Sequence, residues 1–166
     1  MSRWVELIAP GGRVLDVAAG SGRHVRLLAR RGHPVEAVDR DAAALGRLDV
    51  DAGAGVTTRV ADLEGGAWPY SGQAFASVIV TNYLHRPLLP LLVAALGPGG
   101  ILIYETFAAG NERFGRPSNP DFLLRPGELL EVVRGALRVI AYEDVHVEQP
   151  KPAMVQRICA QRGMAH

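Results

Sequence analysis

The sequence predicts an α/β fold class, with a doubly wound, mostly parallel sheet. Three observations carry this. Short apolar runs alternate with helical patterns, one run ends in a glycine-rich turn that opens a helix, and no repeat, linker or low-complexity tract divides the 166 residues. Strands that alternate with helices pair in parallel and are covered on both faces. The length suits one domain that buries about two-thirds of its unfolded surface, so residues 1–166 read as a single unit.

Val14–Ala18 is apolar except for Asp16, as a strand buried on both faces requires. Arg23–Arg31 carries Val25, Leu28 and Ala29 on one side and stops at Gly32 and Pro34, which predicts a helix. Val35–Asp39 is expected as the second strand, and Asp41 is placed to cap a helix over Ala42–Leu48. Val56–Ala61 is expected as the third strand, between Gly53, Gly55 and the pair Gly65 and Gly66. Phe75–Asn82 has Val78, Ile79 and Val80 at its centre and is the clearest strand. Pro87 and Pro90 suit the first turn of a helix running to Leu96, stopped by Gly97-Pro98-Gly99-Gly100. Ile101–Thr106 is the fifth strand, and Phe107 to Arg125 lacks any period. A connector that long in a small domain is more often functional than idle. Pro126 is placed to open a helix through Arg134. Two strands, Leu137–Val147 and Ala153–Gln161, then pair antiparallel, because Glu148–Pro152 is too short for a crossover.

Composition narrows the function classes. Hydrophobic residues at 48% and charged residues at 21% are ordinary for a globular chain rather than a disordered one. No apolar run reaches a membrane span, and Met1-Ser2-Arg3-Trp4 lacks the apolar core of a signal peptide, so a cytoplasmic location without membrane attachment is expected. Cys159 is the only cysteine, which excludes an internal disulfide. The net charge of +1 is spread without a basic stripe, arguing against a nucleic-acid partner. His24, His33, His85, His146 and His166 show no metal-ligand spacing, so no metal is expected.

Ligands of such sheets bind beyond the carboxyl ends of the strands, beside the first one. There the sequence reads Val14-Leu15-Asp16-Val17-Ala18-Ala19-Gly20-Ser21-Gly22-Arg23-His24. Gly20 and Gly22 permit positive φ and close approach of a ligand. Asp39, nineteen residues beyond Gly20, stands where an acid accepts both ribose hydroxyls. Asp16 discriminates between ligands. A carboxylate within a few ångströms repels a pyrophosphate but favours the ammonium and sulfonium of S-adenosylmethionine. Position 25 is valine, so the third glycine of a dinucleotide fingerprint is missing. The structural alternative is that Asp16 merely holds the amides of the turn.

The segment resembles motif I of the class I S-adenosylmethionine-dependent methyltransferases, with Ala18 in place of the first glycine. Val35–Asp39 resembles motif II. Ala61-Asp62-Leu63 resembles the adenine-binding segment, and Phe75–Asn82 with Leu96-Gly97-Pro98-Gly99-Gly100-Ile101-Leu102 resembles the fourth and fifth strands with their turn. Phe107–Leu130 is faintly similar to small tellurite-resistance-like methyltransferases. The resemblance implies a Rossmann-like sheet of order 3-2-1-4-5-7-6 with the last strand antiparallel, and S-adenosylmethionine as cofactor. It implies that Asp16, Ala18, Gly20 and Gly22 line the methionine part, that Asp39 and Arg40 flank the ribose, and that Ala61, Asp62 and Leu63 flank adenine. Thr81, Asn82 and Tyr83 are implied near the methyl group. Arg23 or His24, at a helix N-terminus, is placed to meet the methionine carboxylate or to face solvent.

For the acceptor, Tyr83, His85 and Glu105 are the catalytic candidates, being polar at strand ends. His85 serves either as a base or as a helix cap, and Glu105 either meets substrate or accepts a hydrogen bond from the loop. The loop Gly110–Pro117, with Arg113, Phe114 and Arg116, reads as a lid over an anionic or planar substrate or as a surface connector. Trp68-Pro69-Tyr70 packs in the core or covers adenine. A small-molecule acceptor is expected, with a monomer or homodimer as the working unit. An NAD(P)-binding oxidoreductase and a non-catalytic S-adenosylmethionine-binding subunit remain as alternatives.

Overall fold

The computed structural model describes residues 2–48 and 55–165, so the expected turn glycine Gly53 and His166 lie outside the described residues. A 3₁₀ helix, Ser2–Leu7, leads into β1 (Val14–Val17). Then follow α1 (Arg23–Arg30), β2 (Val35–Asp39), α2 (Ala42–Gly46), β3 (Val56–Val60) and β4 (Phe75–Thr81). A 3₁₀ turn, Arg86–Leu88, runs into α3 (Leu89–Ala94). The chain continues with β5 (Leu96–Phe107), α4 (Glu128–Val133), β6 (Leu137–Val147) and β7 (Ala153–Arg162).

The seven strands form one sheet of order β3-β2-β1-β4-β5-β7-β6, as the resemblance implied. β1 pairs in parallel with β2 and β4, placing Asp16 between Ala37 and Ile79. β7 runs antiparallel to both β5 and β6, which closes the C-terminal hairpin. All four residues of β1 are buried, because each face carries its own apolar layer. Leu15, Val17, Val80 and Tyr104 pack with α3 and α4, whereas Val14, Ile79 and Ile103 pack with α1 and the N-terminal Trp4 and Val5. Trp4 was not legible as core; its indole lies under the Arg3 guanidinium, 4.4 Å from the ring centroid.

Three boundaries depart from the sequence reading. β5 begins at Leu96 because Leu96 pairs with Phe75 before the register shifts to Ser77–Ile101, so the Gly97–Gly100 turn lies inside the strand. The helix expected from Pro126 begins at Glu128, since Gly127 takes a left-handed φ of 72° at its N-cap. The helix expected to start at Pro87 begins instead with the 3₁₀ turn, and Pro90 occupies the first turn of α3. Asp41 does cap α2, accepting from the Ala44 amide at 2.9 Å. Among the described residues no helix is long and apolar enough to cross a membrane.

Candidate active site

The carboxyl ends of five strands and one loop enclose a cavity of about 470 Å3. Ala18 follows β1, Asp39 and Arg40 bridge the end of β2, and Ala61 to Glu64 follow β3. Asn82, Tyr83 and Leu84 follow β4, Thr106 and Phe107 end β5, and Pro117 and Phe122 come from the loop beyond. Of the expected cofactor residues, Ala18, Asp39, Arg40, Ala61, Asp62, Leu63, Asn82 and Tyr83 are on this wall. Asp16, Gly20, Gly22, Arg23, His24 and Thr81 are not.

The turn after β1 is shaped by its backbone. Ala18, Gly20 and Gly22 have φ of 55°, 55° and 76°. Alanine pays about 1 kcal/mol for that conformation, so Ala18 keeps the glycine geometry of motif I at a cost in strain. A Cβ on Gly22 would come within 1.8 Å of Leu48 Cδ2, whereas one on Gly20 would meet nothing within 4 Å. Gly20→Ala is therefore expected to lower the thermal midpoint by only a few degrees. Its added methyl would crowd a ligand against the turn and weaken binding about tenfold. Thermal shifts with and without S-adenosylhomocysteine check this, and an undiminished shift would place the ligand away from Gly20.

The anchoring of the turn corrects the structural alternative for Asp16. It is Asp39 that holds the amides: the Gly20 N–H donates to Oδ2 at 2.8 Å and the Asp41 N–H to Oδ1 at 2.9 Å. Asp16 is buried, and its Oδ2 has no hydrogen-bond partner. Burial, and then the nearby Asp39 charge, push its carboxyl up to about 7. Buried oxygens without partners are rare in native proteins, and this one stands beneath the turn that a cationic ligand would approach.

Asp62 is held as an acceptor by its own loop. The Glu64 N–H donates to Oδ1 at 3.0 Å, and this bond, followed by one from the Gly65 N–H, keeps its carboxyl below the usual range. Gly66 is required there, as its Cβ would lie 2.6 Å from the Asp62 carbonyl oxygen. Asn82 takes a left-handed φ of 53°, with its N–H bonded to the Glu105 carbonyl at 2.9 Å. The buried Tyr104 hydroxyl donates to the Tyr83 carbonyl at 2.6 Å, which fixes the segment after β4. Burial, and then Glu64, push the Tyr83 phenol well above its ordinary range. Glu64 is a wall residue that the sequence reading passed over and that its position two residues after Asp62 could have flagged.

The remaining candidates lie off the cavity wall. Glu105 neither lines the cavity nor bonds the loop; it is ion-paired with Arg157 on β7, which also holds Glu143 at 3.1 Å. His85 precedes the Arg86–Leu88 turn but makes no side-chain cap, and it is off the wall. Arg23 and His24 lie 3.3 Å apart, and burial, and then Arg23, pull the imidazole down to about 4. Trp68 packs edge-on against Tyr70 at 5.2 Å, and the Tyr70 hydroxyl donates to buried Glu36 at 3.0 Å, so this aromatic pair belongs to the core.

The 107–125 loop is pinned at both ends. Buried Asn111 donates to the Pro117 carbonyl at 2.9 Å and accepts from the Met154 N–H at 3.1 Å. Arg86 donates to the carbonyls of Asp121 and Leu123 at 2.8 and 2.9 Å, while Glu128 receives its Nε at 2.7 Å. The wall residue Phe122 sits between those two carbonyls.

A family model described as a methyltransferase domain matches residues 14–100, just over half of the chain. The chain belongs to that family. The methyltransferase resembles solved structures across nearly its whole length. TehB from Haemophilus influenzae superposes with a TM-score of 0.75 at 16% identity, over 97% of this chain and 60% of TehB. This chain thus spans less than two-thirds of that relative. An S-adenosylmethionine-dependent methyltransferase from Mesorhizobium loti gives 0.72 at 18% identity, over 98% of each chain. A TehB-like S-adenosylmethionine-dependent methyltransferase from Corynebacterium glutamicum gives 0.69 at 21%, over 97% of this chain and 86% of the other. At such identities these structures establish the fold. No curated protein sequence matches significantly.

The expectation of a methyltransferase is borne out by the family, and the sheet order is the one the class I resemblance implied, with S-adenosylmethionine as the cofactor that resemblance implies. The site fits that cofactor: a buried carboxyl oxygen without a partner suits a cation, and Asp39 and Asp62 on the wall suit a nucleoside without phosphates. The oxidoreductase alternative shares the glycine turn and Asp39 but has no use for the buried Asp16 carboxyl beside a pyrophosphate.

Proposed function

We propose that this methyltransferase binds S-adenosylmethionine across the ends of β1 to β4 and methylates a small molecule held beneath the 107–125 loop. The observation that carries the reading is the buried Asp16 carboxyl, whose Oδ2 has no hydrogen-bond partner, just before a turn of positive φ. Asp16 favours the cationic methionine end through its charge. Asp39 keeps lone pairs free for the ribose hydroxyls while it braces the Gly20 amide. Asp62 accepts from the adenine amine, Ala61 and Leu63 flank the ring, and Arg40 screens the two carboxylates. Arg23 or His24 meets the methionine carboxylate from the start of α1. Thr81, Asn82 and Tyr83 shape the wall around the methyl group.

The bound cofactor supplies an activated methyl, so what the chain adds is position and the exclusion of water. Tyr83 serves by shape; a phenol pushed so high is a poor base. Small-molecule acceptors are favoured because the cavity is small, at about 470 Å3, and the loop that borders it is pinned. Incubation with methyl-labelled S-adenosylmethionine and a cell extract tests this. Label is expected in the small-molecule fraction; label confined to protein or RNA would contradict it. Tight cofactor binding with no transfer at all would favour the non-catalytic reading.

A further inference from the structure

Charge is divided unevenly along the cavity wall, and the strand order explains why. Asp39 ends β2 and Arg40 follows it, and Asp62 and Glu64 follow β3. These four stand toward one edge of the sheet. The opposite end is built by Leu84, Phe107, Pro117 and Phe122, with the Thr106 hydroxyl and the Asn82 amide as its polar side chains. Neighbouring strands lie about 4.8 Å apart, so the ends of β2 and β5 are separated by roughly 14 Å. Phe122 is 51% exposed yet faces the cavity, and Arg86 grips the carbonyl on either side of it. An exposed aromatic held that firmly is a built feature of the mouth.

With the cofactor at the acidic end, as proposed above, the acceptor meets the apolar end. Among the described residues of that end there is no carboxylate, imidazole or amine. Glu105 is spent on Arg157, and His24 and His85 are off the wall. A general base must lie within hydrogen-bond reach of the proton it removes. Alcohols, phenols and alkylammonium ions keep their protons near neutral pH and are therefore not served here. A pyridine-type nitrogen needs no base, but its methylated product is a new cation, and no carboxylate at this end would offset it. A thiol differs on both counts. It ionises in water near neutral pH, and a thiolate meeting a sulfonium leaves two neutral products in apolar surroundings. The flat faces of Phe107, Phe122 and Pro117 match an aromatic ring.

We propose that the methyl acceptor is a small aromatic thiol, taken up as its thiolate against Leu84, Phe107, Pro117 and Phe122. The thiol proton goes to water before entry. A lone pair on the thiolate sulfur forms the new S–CH3 bond, and the bond from the methyl carbon to the cofactor sulfur breaks with its electron pair remaining on that sulfur. The products are a methyl aryl thioether and S-adenosylhomocysteine, so one positive and one negative charge cancel.

Purified protein with S-adenosylmethionine is assayed with thiophenol, phenol and benzylamine as probes. Thioanisole is expected, with phenol and benzylamine methylated about 100-fold more slowly, since each lacks the base it needs. Across ring-substituted thiophenols the pH midpoint of kcat/KM should follow the pKa of the thiol rather than stay at one value set by the protein. Phe122→Ala should raise KM for thiophenol about tenfold while leaving affinity for S-adenosylhomocysteine unchanged. Comparable methylation of phenol or benzylamine overturns the proposal. So does the absence of thioanisole from a protein that binds S-adenosylhomocysteine by calorimetry. A protein that binds neither sulfur compound overturns the cofactor assignment itself, and this proposal with it.

Discussion

Asp39→Ala is expected to lower the affinity for S-adenosylmethionine by roughly 100-fold, because two hydroxyl-to-carboxylate hydrogen bonds of about 1.5 kcal/mol each are lost. The same substitution strips the Gly20 and Asp41 amides of their acceptors. The free protein is therefore expected to melt several degrees lower as well, at about 1–3 kcal/mol for an amide left unpaired. Asp39→Asn separates the two effects: its amide oxygen can still brace Gly20, so the fold should recover more than the affinity does. Melting curves and calorimetric titrations on both variants check this. Affinity that recovers in step with the melting point would reduce Asp39 to a brace for the turn.

Asp16→Asn should have the second large effect, with opposite signs on folding and binding. The Asp16 carboxyl is pushed up to about 7 by burial, and then by Asp39, from the ordinary 3.8. Between those values the folded state holds a proton that the unfolded chain has released. The free protein is thus fully stabilised by this group below about pH 4 and loses that contribution as pH rises through 7. Asn carries no such dependence, so the variant should be the more stable at pH 8, as read by denaturant midpoints. A cationic ligand reverses the balance by favouring the carboxylate. Wild-type affinity should therefore rise with pH up to about 7, with proton release visible in buffers of different ionisation heat. The Asn variant should bind about tenfold more weakly at pH 8 and release no proton. Equal affinity for the two proteins would remove Asp16 from the cofactor site.

What the sequence showed of this molecule follows the range of the interactions concerned. β1, β2 and β4 were legible because each is a nearly unbroken apolar run, as burial on both faces demands. The turn was legible because a strand, two glycines and a distal acid fall at fixed short spacings. Contacts made across the sheet were not. Glu105 reads as an odd carboxylate at a strand end until Arg157, 52 residues later, lies beside it on β7. Glu36 sits in an apolar strand, and its partners Arg13, Thr57, Arg59 and Tyr70 are scattered over the chain. Burial drives its carboxyl up, but bonds from Thr57, Tyr70 and Arg59 with the Arg13 charge outweigh that and hold it low. Which carboxylate braces the turn was likewise beyond the sequence, since Asp16 and Asp39 share their chemistry and differ only in direction. The loop is legible as a place for function by its length and by Arg113, Phe114 and Arg116. That Pro117 and Phe122 reach the cavity, rather than the Arg113–Phe114 segment, depends on Arg86 and Asn111, which no local pattern reveals. Phe114 instead stacks on His146 of β6 at 4.7 Å.

The central claim is that Asp16, Asp39 and Asp62 select a cationic nucleoside without phosphates. Calorimetric titration of the purified protein with S-adenosylmethionine, S-adenosylhomocysteine, NADH and NADPH tests it most directly. Saturable binding of both sulfur compounds and none of either nicotinamide nucleotide is the expected result. Binding of NADH or NADPH, with neither sulfur compound bound, would contradict the account.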